Sequence, residues 1–298
     1  MRVNPDFTPD ILNDLYQSQA QEQTYIEELS TGRRVNSPSD DPQAAAADVQ
    51  NQAAQSQVDQ YVQNTDSLEG MFQTADSALS SVVTAVNQAI SLGTQGANGT
   101  LSSSQQQELA QQVQAIQSQV VQLANTSYEG SYLFGGTETQ SAPFALDSTQ
   151  PSGVSYTGND GVNSVEIAQG TTMETNVPGD QVFMGAGGSV MGALQQLVTA
   201  LQSGNGNTIG AATTQVSNSL GYLSQQRVFY GSAVDQLTAN QSSLQQEQVN
   251  LQTEDTNLVG ADMATVATDL SQAQTSQSAT LAALAQIIPQ SLLNYLDQ

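Results

Sequence analysis

The chain has 298 residues, with 28 acids against 4 basic residues, all of them arginine, and it lacks lysine, histidine, cysteine and tryptophan. Without His and Cys there is no Ser–His or Cys–His nucleophile pair, no zinc site of nitrogen and sulfur ligands and no disulfide; without Lys there is no Schiff base and no P-loop lysine. A formal charge of −24 leaves no basic stripe for nucleic acid or for an anionic membrane surface.

Charged residues make up only 11% of the chain, where about 25% is usual. The polar surface is built instead from 45 glutamines, with Asn, Ser and Thr. At 5% aromatic content, the apolar residues are expected to spread along elongated elements, each burying a narrow stripe. The opening segment Met1-Arg2-Val3-Asn4-Pro5-Asp6-Phe7 has no apolar leader run, and no stretch is long enough for a membrane-spanning helix. An extracellular destination would require export without a cleaved leader.

In chain order, Ile11, Leu15, Tyr25 or Ile26, and Leu29 form a weak apolar stripe, with Pro5 and Pro9 delaying its helix to about Asp10. Gly32 allows a left-handed helix stop, residues 36–41 read as a turn-rich linker, and Asp41 before Pro42 reads as an N-cap with proline at the first helical position. From Tyr61 the positions Thr65, Leu68, Phe72, Ala75, Leu79, Val82, Val86 and Ala89 alternate in steps of three and four, a heptad seam. The predicted helix runs from Pro42 to Leu92, a rod of about 75 Å, and Gly93, Gly96 and Gly99 are expected to end it. Ser104 with Gln107 reads as a capping box for a second helix carrying Leu109, Val113, Ile116, Val120 and Leu123 and stopping near Asn125.

Residues 128–188 turn to Gly, Pro, Thr and Asp around short β-type runs at 132–134, 154–156, 165–167 and 173–177. Asn159-Asp160-Gly161 is placed as a hairpin turn between the second and third runs. Helix returns with Val190, Leu194, Leu197 and Leu201 on one face. After a turn at Gly204–Gly210 comes the counterpart of the first rod, with Tyr230, Leu237, Leu244, Leu251 and Leu258 seven apart. Its companion positions are Val234, Gln241, Gln248 and Asp255, a seam narrow enough to predict packing inside a bundle. A last stripe, Leu281, Leu284, Ile288, Leu292 and Tyr295, is interrupted by Pro289.

The expected fold is therefore mainly α: long antiparallel helical rods in a coiled-coil-like bundle, a small inserted β domain, and amphipathic terminal helices. The expected domains are 1–41 with 260–298 (terminal helices, disordered in the free monomer), 42–127 with 189–259 (helical rod) and 128–188 (β). The terminal stripes are too short to hold helix alone in so Gln-rich a context, so they should order against each other or against neighbouring subunits. A long subunit with adhesive ends suits a filament component.

The segment Leu29-Ser30-Thr31-Gly32-Arg33-Arg34-Val35-Asn36-Ser37-Pro38-Ser39-Asp40-Asp41-Pro42 is the candidate assembly hinge, its key residues being Leu29, Gly32, Arg33, Arg34, Asn36, Asp40 and Asp41. Two of the four arginines stand here beside two acids, so an ion pair within or between subunits is expected. The same segment resembles the N-terminal signature of the bacterial flagellin family, in its hook–filament junction branch. Further similarities to that branch are Leu123-Ala124-Asn125-Thr126 leading to Gly130-Ser131-Tyr132-Leu133-Phe134-Gly135-Gly136-Thr137, Val154-x-Tyr156-x-Gly158 with Gly179-Asp180-x-Val182-Phe183, and the tail Ser291-Leu292-Leu293-Asn294-Tyr295-Leu296.

The resemblance implies a non-enzymatic structural subunit without cofactor or metal, handled by an export chaperone and sent out unprocessed through the flagellar type III apparatus. It implies a ring of such subunits between hook-associated protein 1 and flagellin. Ile11, Leu15, Leu281, Leu284, Ile288, Leu292, Leu293, Tyr295 and Leu296 would pack the terminal helices into an inner tube on assembly, with the β insertion facing outward. A small flagellin forming the filament itself is the first alternative, and a coiled-coil surface adhesin with a specificity at 128–188 is the second.

Other motifs carry less. Adjacent Asp40 and Asp41 diverge and have no evident third ligand, the leucine heptad has no basic region before it, and the Asn-x-Ser/Thr triplets at 98, 125 and 240 are ordinary in a chain of this composition. Gln and Ser do not titrate, while the carboxylates lose their charge below about pH 4. Subunit contacts should therefore survive acid, and assembly should be better there than at neutral pH.

Overall fold

A computed structural model describes residues 7–185 and 188–296, with side chains described except at 7–11, 283, 284 and 286–296. The helices are α1 (Phe7–Thr31), α2 (Pro42–Gly96), α3 (Ser103–Ala124), α4 (Gly179–Phe183), α5 (Val190–Ser203), α6 (Gly206–Val259) and α7 (Met263–Leu296). Between α3 and α4 lie the short strands β1 (Ser127–Tyr128), β2 (Ser131–Tyr132), β3 (Phe144–Leu146), β4 (Val154–Tyr156), β5 (Ser164–Ala168) and β6 (Thr171–Glu174). The fold is mainly α with small sheets. The chain divides into two compact units, Met1–Gln57 with Glu247–Gln298, and Val58–Gln246.

In the second unit the heptad seam of α2 is buried at all eight positions from Thr65 to Ala89. Its partner is α6, running antiparallel: Phe72 meets Tyr230 edge-on at 5.7 Å, Arg227 Nε donates to Asp76 Oδ1 at 2.9 Å, and Gln241 Nε2 donates to Asp66 Oδ1 at 2.7 Å. The polar companion Gln241 of the α6 seam is thus tied to α2 by a cross-helix hydrogen bond; Asn240 likewise donates to Thr65 Oγ1 at 3.1 Å, satisfying a buried hydroxyl. Helices α3 and α5 pack on one another and close the bundle, with Leu194, Leu197 and Leu201 of α5 fully buried. Burial of side chains of this size stabilises by about 1.5–3 kcal/mol each, which is why the apolar stripe overrides weak local helix propensity.

Several helix boundaries depart from the sequence expectation. Helix α2 continues past Gly93 and ends at Gly96, as expected for the second glycine. A Cβ at Gly93 would meet Thr213 and Leu197, and one at Gly96 would meet Leu201, so both glycines permit close approach of α5 and α6, Gly93 from inside the helix. The capping box of α3 is Ser102 with Gln105, not Ser104 with Gln107: Ser102 N–H donates to Gln105 Oε1 at 2.9 Å while Gln105 N–H donates to Ser102 Oγ. Three consecutive serines and three consecutive glutamines make the register ambiguous from sequence. The turn after α5 is Gly204–Asn205 alone, with Gly204 in the left-handed region (φ +71°) and Gly210 already inside α6. Helix α1 begins by Phe7 rather than Asp10, since proline is tolerated in a first turn, and α7 stays helical through Pro289.

The β region consists of three separate antiparallel hairpins, β1–β2, β3–β4 and β5–β6. Asn159-Asp160-Gly161 is not the hairpin turn expected: β4 pairs back with β3 and β5 pairs forward with β6. Asn159 instead ties two loops, its Oδ1 accepting from Thr137 N–H at 2.9 Å and Gly161 N–H at 3.0 Å. Leu133 and Phe134, expected in a strand, follow β2 and are buried. Phe134 and Phe144 both pack edge-on against Phe183 of α4, at 5.1 and 5.4 Å, and join the same apolar cluster as the helices.

The first unit holds α1, α7, the start of α2 and the end of α6. Helices α1 and α7 pair with each other. Leu15, Tyr25 and Leu29 are half-buried, whereas Leu12, Tyr16, Ile26 and Leu281 remain exposed. The side chains of Ile11, Leu284, Ile288, Leu292, Leu293, Tyr295 and Leu296 lie outside the described residues.

Candidate functional site at the paired linkers

The segment singled out from sequence folds as one half of a two-stranded crossing. Helix α1 is followed by Gly32, whose φ of +71° is left-handed and whose N–H donates to Glu28 O at 2.8 Å. The linker that follows lies alongside the turn from α6 into α7. Arg34 N–H donates to Val259 O at 2.7 Å and Ala261 N–H donates to Gly32 O at 2.9 Å, making an antiparallel bridge of Arg33 with Gly260. Val35, Ala44 and Val259 form a small buried cluster beneath it.

Both helices that leave the crossing are capped by an aspartate. Asp41 Oδ1 accepts from Ala44 N–H at 3.0 Å, and Asp262 Oδ1 accepts from Ala264 N–H at 3.0 Å and Thr265 N–H at 3.2 Å. The Ala44 N–H, then the Arg34 guanidinium, hold the Asp41 carboxyl below its ordinary value; the Thr265 N–H and hydroxyl do so for Asp262. Asp40 closes the linker on itself, accepting from Ser37 N–H at 2.8 Å, Ser37 Oγ at 2.8 Å and Asn36 N–H at 3.1 Å. These bonds, that of the Ser37 amide foremost, lower its carboxyl too. Asn36 Nδ2 donates to Arg33 O at 2.9 Å. Each acid is thereby committed to backbone donors, and no metal-holding cluster occurs among the described residues.

The arginines divide. Arg34 pairs with Asp41 at 3.3 Å and also donates to Leu258 O at 3.1 Å, so the expected Arg–Asp pair forms within the subunit and reaches across to α6. Arg33 does not pair with Asp40. It contacts Asp48 of α2 and lies 3.9 Å from Asp255 of α6. Leu29 is half-buried on α1. Burial, more than the flanking Asp40 and Asp269, raises the carboxyl of Glu28, against the pull of Arg34.

Sequence reasoning located this linker through its clustered arginines and acids but missed its partners Asp48, Asp255, Asp262 and Val259–Ala261. Asp262 carries a readable signal, Asp-x-x-Thr opening an apolar run. Asp48 and Asp255 carry none, because they stand 15 and 222 residues from Arg33 and meet it only in the fold. Of the three glycosylation-type triplets, those at Asn125 and Asn240 are occupied: Asn125 Nδ2 donates to Phe144 O and Asn240 Nδ2 to Ile167 O, both at 2.8 Å.

Comparison with known proteins places these features. The bacterial flagellin N-terminal helical region matches residues 10–139 and the bacterial flagellin C-terminal helical region matches residues 207–296. Flagellar hook-associated protein 3 of Escherichia coli is 34% identical over 167 residues, 56% of this chain and 51% of that protein. The chain thus spans about half the length of the curated relatives it matches. Vibrio flagellins match over shorter stretches of 117 to 127 residues. Among solved structures, one from Vibrio parahaemolyticus described as a flagellar hook-associated protein superposes with a TM-score of 0.67 at 20% identity, covering 74% of this chain and all of that one. The flagellar junction protein of Legionella pneumophila superposes with a TM-score of 0.60 at 14% identity, covering 72% of this chain and all of that one.

Proposed function

The chain belongs to the bacterial flagellin family, and from that premise we propose that it is the structural subunit joining the hook to the flagellin filament. The observation that carries this reading is the match to hook-associated protein 3 over 167 residues, against 117 to 127 for flagellins. It is a non-enzymatic subunit of the bacterial flagellum, outside the cell and accompanied by an export chaperone. It assembles as a ring, with hook-associated protein 1 on one side and flagellin on the other.

In this reading α1 and α7 form the inner-tube part. Paired with each other, they keep Leu12, Tyr16, Ile26 and Leu281 at 45%, 67%, 49% and 49% exposure, surface that neighbouring subunits would cover, coupling the final ordering of these helices to assembly. Removing residues 289–298 should leave a soluble, folded protein that no longer assembles; retained assembly would refute the coupling. The paired linkers, with Gly32, Arg33, Arg34, Asn36, Asp40 and Asp41, set the direction in which the terminal helices leave α2 and α6.

A deletion strain decides the function. Loss of the gene should leave hooks intact and release flagellin monomers into the medium, with rescue by the full chain. The alternative, a small flagellin, rests on the family match shared by both kinds of protein. It predicts that purified chain, seeded with its own fragments, grows long filaments; such growth would overturn the junction reading.

A further inference from the structure

We propose that Asp48 and Asp255 share one proton, forming an acid-stabilised carboxyl–carboxylate clasp between α2 and α6. Asp48 is 8% exposed. Its Oδ2 accepts from Arg33 Nη2 and from Gln52 Nε2, the latter at 2.9 Å, but its Oδ1 is buried and accepts nothing. Asp255, on the facing helix, lies 3.9 Å from the same Arg33 nitrogen, so one guanidinium nitrogen stands between the two carboxyl groups.

Two carboxylates and one guanidinium leave an uncompensated negative charge and an unsatisfied buried acceptor, both costly. A proton on Asp255 removes both at once. Its O–H then donates to Asp48 Oδ1, and a single carboxylate is left to balance Arg33. The charged groups acting on Asp255 are Arg33 from the linker and Asp48 from α2; Arg34, the other linker cation, is engaged by Asp41 and Leu258 O. Burial first, and then Asp48, raises the Asp255 carboxyl against the pull of Arg33, as for like charges sharing one site.

The sign follows. A carboxyl raised in the folded state contributes stability that is fully present below its unfolded value and is lost as pH rises through its folded value. The clasp therefore tightens the first unit as the surroundings acidify, and it does so whether or not the subunit works at the hook–filament junction.

Thermal unfolding of the full chain between pH 7 and pH 4 tests this. Asp255→Asn supplies a permanent N–H donor to Asp48 and should unfold roughly 2–4 °C above the parent at pH 7, with the gap closing as acid protonates the parent. Glu254→Gln removes the same charge at the exposed neighbouring position and should show no gap that closes. A gap that is absent, negative or constant with pH overturns the clasp. Carbon-13 titration of the Asp255 carboxyl gives a second readout: a raised midpoint in the parent that falls in Asp48→Asn supports the clasp, and an ordinary midpoint in the parent overturns it.

Discussion

Replacing Gly32 by alanine isolates the backbone conformation on which the paired linkers depend. Gly32 sits at φ +71°, and a Cβ built there meets nothing within 4 Å, so any effect of the substitution is conformational rather than a clash. The left-handed region costs an L residue about 1–2 kcal/mol, while the reduced freedom of the unfolded chain returns about 0.4–1 kcal/mol. The net loss should be about 1 kcal/mol, or about a fivefold increase in local opening. Asparagine tolerates the left-handed region better than alanine, so Gly32→Asn should lose about half as much. The amides to follow are Arg34 and Ala261, whose N–H groups donate to Val259 O and Gly32 O across the crossing. Their hydrogen exchange should accelerate together in Gly32→Ala, less so in Gly32→Asn, and not at all at core amides of α5. Alanine behaving as well as glycine, or asparagine no better than alanine, would refute the reasoning.

Four further outcomes follow from the packing and the charges. Phe183→Ala removes a fully buried ring that two other phenylalanines contact edge-on and should destabilise the second unit by about 3–5 kcal/mol in urea unfolding. Gly221 and Gly231 are exposed positions inside α6 with open space around them, so alanine at each should stabilise by about 0.5–1 kcal/mol in the same assay. Asp41 and Asp262 are lowered by their cap bonds; their contribution is present above the ordinary aspartate value and is lost as pH falls through the folded values, so exchange at Ala44 and Thr265 should accelerate below about pH 4. Asp180 is raised, by burial more than by the carboxyl of Asp160 beside it, and its Oδ1 is buried without a partner; Asp180→Asn should therefore raise the melting temperature at pH 7, with an advantage that shrinks in acid.

Much of the helical architecture was legible because helical period converts sequence spacing directly into a face. The seam from Thr65 to Ala89 and the set Val190, Leu194, Leu197, Leu201 are buried as read. The cap at Asp41 was legible for the same local reason, since its acceptor serves a donor three residues on. The motif at 29–42 was likewise visible as a cluster of charge and turn residues.

What the sequence determined by itself is what depends on near neighbours along the chain: helix faces, one N-cap, and the family signature carried by contiguous residues. Only the tertiary structure decided that Gly93 lies inside a helix, that β4 pairs with β3 rather than β5, and that Arg33 turns to Asp48 and Asp255 instead of Asp40. The physical reason is common to all three. A glycine, a three-residue strand or a half-buried arginine has several local solutions of nearly equal energy, and contacts with residues distant in sequence select among them.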